Sequence, residues 1–125
     1  NPNQSRVSRD RANNKKTYGK TTIAPEVLVS IAQLSTLGVE GVSRLTPAPR
    51  DVNTIFKKGM HEGVNIAVED DMVYVDLYVI LRRDVNVREV SHKIQHQVAR
   101  AISEMVGMEI GKVNIHIEDI DFGTA

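Results

Sequence analysis

The chain has 125 residues, 16 basic and 16 acidic side chains and no cysteine, so it fits one domain able to bury its own core, and disulfide and thiolate chemistry are excluded. No apolar run approaches the ~18 residues of a membrane-spanning helix, which makes any membrane association expected from the sequence peripheral or through a partner. The net charge of zero conceals a division: residues 1–20 hold Arg6, Arg9, Arg11, Lys15, Lys16 and Lys20 against Asp10 alone, and the rest of the chain carries the compensating acidic excess.

Residues 1–18 are rich in Asn, Ser, Gln and cations, with Val7 and Tyr18 as the only large apolar groups. Such a segment buries too little to offset its ordering entropy, so a flexible basic tail that is dispensable for folding is expected. The folded domain is expected over 19–122, with 123–125 as a short C-terminal end. Thr21–Ile23 reads as a β-like entry, and Pro25 suits the first turn of a helix, where its missing N–H is no loss. Leu28, Ile31, Ala32 and either Leu34 or Ser35 recur at helical spacing and Gly38 supplies a stop, which predicts a helix over Pro25–Leu37. Val39–Leu45 is a short strand or extended segment. Thr46-Pro47-Ala48-Pro49 is a loop, because two prolines two apart leave little room for ladder bonds. Asp51 can then cap a two-turn helix with Val52, Ile55 and Phe56 on one face, ended near Gly59.

The clearest β signal follows. Val64, Ile66 and Val68 alternate with Asn65, Ala67 and Glu69. After a turn at Asp70-Asp71, Val73, Val75, Leu77, Val79 and Leu81 alternate with Tyr74, Asp76, Tyr78 and Ile80, as in a hairpin with one buried face. Asn86 and Glu89 form a capping-box-like pair ahead of the stripe Val87, Val90, Ile94, Val98, Ala101, Ile102 and Met105, which predicts a helix from Val87 to about Val106, closed by Gly107. Val113, Ile115 and Ile117 mark a last strand. The fold class is therefore α+β: a two-layer sandwich, order β-α-β-(short α)-β-β-α-β, with both main helices on one face of a mixed sheet.

No residue pattern makes this chain an enzyme. His92 and His96 stand four apart, a spacing at which two imidazoles can share a metal, yet they lie nearly opposite Ile94 on the helix and have no converging ligands. His61 and His116 are too scattered to complete a site. Glu69-Asp70-Asp71 lacks the ligand alternation, glycine and terminal Glu of a calcium loop, and Lys57-Lys58-Gly59 lacks the phosphate-loop pattern. No Ser sits in a Gly-x-Ser-x-Gly turn. Catalytic residues, metal, cofactor and small-molecule substrate are all expected to be absent.

Two surfaces remain as candidates. The cations Arg6, Arg9, Arg11, Lys15, Lys16 and Lys20 could track the phosphates of RNA, the ribosome or another polyanion. Alternation also turns Tyr74, Tyr78 and Ile80 away from the helices, joined by Ala67 from the hairpin partner and by His116. Two tyrosines and an isoleucine gathered on one strand point to a self-association or partner surface, on this face or at its adjoining sheet edge.

Three stretches carry a family resemblance: Gly19-Lys20-Thr21-Thr22-Ile23-Ala24-Pro25-Glu26-Val27-Leu28 followed by Gly38-Val39-Glu40-Gly41-Val42; then Gly63-Val64 leading through Val73-Tyr74-Val75-Asp76-Leu77-Tyr78-Val79; then Val113-Asn114-Ile115-His116-Ile117. Together, over about residues 19–119, they resemble the bacterial alkaline shock protein family of envelope-stress proteins. The resemblance implies a non-enzymatic cytoplasmic protein of Gram-positive-type bacteria, found at the inner face of the membrane through a membrane-anchored partner and prone to homo-oligomerisation. Relatives are also linked to control of fatty-acid synthesis. The resemblance carries over no catalytic residue.

Overall fold

The computed structural model describes residues 22–49 and 60–123. In chain order these form helix α1 (Pro25–Leu37), strands β1 (Val42–Leu45), β2 (Met60–His61), β3 (Val64–Glu69) and β4 (Met72–Arg82), helix α2 (Val87–Val106) and strand β5 (Glu109–Asp121). The five strands make one open mixed sheet, and the two helices pack on each other and on one face of it. This is the expected α+β class. The tail through Lys20, Thr21 and the helix expected after Asp51 lie outside the described residues. Thr22 and Ile23 belong to no strand; Ile23 instead packs against the core, so its apolar character serves packing and not pairing.

Helix α1 opens on Pro25, with Glu26 in its first turn, where a negative charge suits the helix dipole. Leu28, Val29, Ile31, Ala32 and Thr36 are buried, whereas Leu34 is 72% exposed. Ser35 is half-buried, so of the two residues that could have continued the stripe it is the serine that turns inward.

Strand β4 organises the sheet. One edge bonds along its length to β5 in parallel. The other is shared end to end by two antiparallel strands, β3 against Met72–Leu77 and β1 against Val79–Leu81. Tyr78 sits at the join: its N–H donates to the Gly63 carbonyl and its carbonyl accepts from the Thr46 N–H, both at 2.9 Å. The join needs Gly63. Its φ is +77°, and a Cβ there would lie 2.8 Å from Leu45 Cβ and 2.9 Å from the Thr46 carbonyl oxygen. At the other end of β3, Asp70 and Asp71 both have positive φ, the geometry of a two-residue hairpin turn whose twist matches the strands.

In α2, the Asn86 side chain accepts from the Glu89 N–H at 3.0 Å, and the helix closes at Gly107, whose N–H donates to the Ser103 carbonyl at 3.0 Å. The buried stripe narrows to Val90, Ile94, Val98 and Ile102. Val87 and Met105, at the two ends of the helix, are exposed, Met105 by 70%. These four residues meet Val73, Val75, Leu77, Val79 and Leu81 of β4 in one core. Each large aliphatic side chain so buried contributes about 1.5–3 kcal/mol. Strand β5 reaches well past the expected Val113–Ile117, because parallel pairing with β4 carries its polar ends into the sheet. Among the described residues, no helix is long and apolar enough to cross a membrane.

Candidate functional site

Among the described residues no helix covers the second face of the sheet, and register assembles its surface. On β4, Tyr74, Asp76 and Tyr78 stand beside Lys112, Asn114 and His116 of β5. On the β3 side, Ala67 is paired with Tyr74 and Asn65 with Asp76. Directly paired residues project to the same face, so three strands contribute side chains to one grid.

Asp76 is its centre. One carboxylate oxygen, Oδ1, accepts from Asn114 Nδ2 at 3.1 Å and contacts His116 Nε2 at 3.0 Å. A carboxylate only accepts, so Nε2 carries the proton in this contact. The imidazole also stacks on the Tyr78 ring, with centroids 4.4 Å apart and planes 11° from parallel. Asp76, Tyr78, Asn114 and His116 are all half-buried. Tyr74 lies over Gly111, where a Cβ would fall 2.5 Å from the ring, so the close approach of ring to backbone requires glycine. Asn65, on the same face, is 7% exposed, and among the described residues its Oδ1 has no hydrogen-bond partner.

Of the five face residues expected from sequence, Tyr78 and His116 are in contact, and Tyr74 and Ala67 sit across the β3–β4 ladder from one another. Ile80 differs. It is 6% exposed, lies outside the core cluster beneath the helices, and stands between Arg44 of β1 and Asp119 of β5. It offers almost no surface for contact. Sequence reasoning missed Asp76, Asn114 and Asn65, which alternation alone reads as solvated positions. Only the pairing of β4 with β5, separated in sequence by α2, brings the carboxylate to its two donors.

A smaller cluster pins the end of the sheet. Ser43 Oγ donates to Asp121 Oδ2 at 2.7 Å, the Gly123 N–H donates to Oδ1 at 2.9 Å, and Arg44 Nη1 lies 3.5 Å away. The Ser43 bond first, then the Gly123 bond, and the positive charges of Arg44 and Arg82 hold the Asp121 carboxyl below the usual aspartate range.

His92 and His96 are exposed on α2, and no group of three or more His, Cys, Asp or Glu is placed to hold a metal among the described residues. Asp70 and Asp71 form the hairpin turn. Lys57-Lys58-Gly59 and the tail cations Arg6, Arg9, Arg11, Lys15, Lys16 and Lys20 lie outside the described residues. What the face offers chemically is a hydrogen-bonded, partly aromatic surface without a nucleophile poised by a base.

Comparison with known proteins matches residues 13–122 to the model of the ASP23 family, described as of cell envelope-related function. The chain is 31% identical over 108 residues to the uncharacterized protein YqhY of Bacillus subtilis, covering 85% of this chain and 80% of that protein. It is 37% identical over 103 residues to the uncharacterized protein Spy1535 of Streptococcus pyogenes, covering 82% and 79%. Among solved structures, the copper form of the MamM CTD is similar with a TM-score of 0.49 at 13% identity, covering 80% of this chain and 90% of that one. That similarity is too weak to argue from.

Proposed function

Because the chain belongs to the ASP23 family of alkaline shock proteins, a non-catalytic stress-response family, we propose that it is a self-associating scaffold or adaptor of the bacterial envelope stress response, held at the inner face of the cell membrane by a membrane-anchored protein partner. The observation that carries this reading is the Tyr78–His116–Asp76–Asn114 array on the sheet face that no helix among the described residues covers. Side chains already fixed by stacking and hydrogen bonds lose little rotamer freedom on contact, and tyrosine combines apolar area with a polar tip. In this reading the core supplies the platform and the grid the contact.

The test combines Tyr78→Ala with Ala67→Glu, which removes the stacked ring and places a charge at an exposed position of the same face. Ile80→Glu is the poorer choice, since it would bury a carboxylate and unfold the chain for an unrelated reason. The oligomer mass by light scattering after size exclusion should fall while circular dichroism stays native. Unchanged mass at matched concentration would remove this face from the interface. Crosslinked pull-down from the native cell addresses the partner. A membrane-dependent pellet is expected, and nuclease-sensitive cosedimentation with ribosomes would instead favour a polyanion contact through the basic tail.

A further inference from the structure

Helix α2 has a groove on each flank, and the two differ in charge. One, of about 470 Å³ beside the end of α1, is lined by both Glu40 and Lys93 and so presents both signs. The other, of about 500 Å³ beside β5, is lined by Val87, Arg88, Ser91, His92, Gln95 and Ile115. Every polar side chain of this second groove can donate a hydrogen bond, and among the described residues no carboxylate lines it. Glu89, the neighbouring acid on the helix, takes no part in the lining. The periodicity of α2 assembles the set. Val90 and Ile94 are buried in the core, which leaves Arg88, Ser91, His92 and Gln95, at i, i+3, i+4 and i+7, on one flank of the helix. Gln95 is engaged there, its amide donating to the Val113 carbonyl at 3.0 Å and tying the helix to β5. Arg88 and His92 are exposed and Ser91 is half-buried, so these three donors are open to a ligand.

We propose that this groove binds a small organic phosphate monoester, held and not turned over. A phosphate monoester carries about −1.5 to −2 charge at pH 7 and three acceptor oxygens. The donors match that head: the Arg88 guanidinium suits two oxygens as a fork, and the Ser91 hydroxyl and His92 ring N–H serve the third. A carboxylate, with two oxygens, would leave part of this set unused. The groove is larger than the head alone requires. Its volume falls in the ~300–1,000 Å³ range of small-molecule sites, and Val87, 42% exposed, and Ile115 offer an apolar wall to the carbon body of the ligand. Ile115 packs against the core beneath the helices, so the groove lies on the helix side of the sheet. It goes beyond the self-association reading and stands or falls apart from it.

A chemical-shift titration of the full chain with phenyl phosphate tests this, with inorganic phosphate and phenol as the head and the body alone. Phenyl phosphate should shift the amides of residues 87–95 and 113–117 to saturation and bind about tenfold tighter than inorganic phosphate, and phenol should leave those amides unmoved. Arg88→Gln should weaken phenyl phosphate binding about tenfold, and Ser91→Ala and His92→Gln about threefold each, with native circular dichroism throughout. If Arg88→Gln fails to fold, His92→Gln at its exposed position still decides. Lys93→Gln, on the other groove, should change binding by less than about twofold. Equal losses in Arg88→Gln and Lys93→Gln would reduce the effect to general charge attraction and overturn the site. Shifts confined to the basic tail would overturn it as well. Phenyl phosphate bound no tighter than inorganic phosphate would leave a bare anion patch and overturn the organic ligand.

Discussion

The two faces of β4 are made from alternate residues of one 11-residue strand, yet different forces hold them. Toward the helices, Val73, Val75, Leu77, Val79 and Leu81 are fully buried against Ile94, Val98 and Ile102. Toward the other side, Tyr74, Asp76 and Tyr78 are half-buried, and the Asp76 and Tyr78 side chains are held by hydrogen bonds and a ring stack. A buried aliphatic contributes about 1.5–3 kcal/mol, whereas a stack or a hydrogen bond nets about 0.5–1.5 kcal/mol. Stability is therefore concentrated in one set of residues and surface chemistry in the other. Substitutions on the two faces should separate folding from the contact proposed for the open face.

The hardest blow to that comparison would come from the core. Ile94→Ala should cost about 2–5 kcal/mol in equilibrium urea melts; a loss below ~1 kcal/mol would mean the helix layer does not carry the stability assigned to it. Gly63→Ala tests the join that sets β1 and β3 on the same edge. With a positive φ and a backbone oxygen at 2.9 Å, it should cost about 1–3 kcal/mol by the same assay. On the open face His116→Ala removes the stack and one bond to Asp76, and should lower stability by only about 0.5–1.5 kcal/mol; a core-sized loss there would erase the distinction between the faces.

The Asp121 cluster sharpens the comparison at acid pH. Its folded pKa lies below the unfolded value, so its contribution is present above the ordinary aspartate pKa of ~3.9 and is lost as pH falls through the lower folded value. Asp121→Asn should therefore lower the urea midpoint near neutrality, and the gap from wild type should close as pH drops below ~4. The smallest effect belongs to the exposed histidines: His92→Ala and His96→Ala should each fall within about 0.5 kcal/mol. Zinc-dependent stabilisation that vanishes in either variant would place a metal at this pair.

The sequence alone determined both helices, the hairpin and the inward set of β4, because periods of 3.6 and 2 are local properties that burial then enforces. It also determined that Tyr74 and Tyr78 share the face away from the helices, and the stretches around Gly63-Val64 and Val113–Ile117 pointed to the family. Tertiary structure decided what lies beside them. The contact of Asp76 with Asn114 and His116 depends on the parallel register of two strands joined through a 20-residue helix, and no local pattern encodes the register of a crossover. Burial of Ile80, exposure of Leu34 and Met105, and the pairing of the polar ends of β5 have the same origin. Periodicity states which way a side chain points, and only the packed neighbours state whether anything is there to meet it.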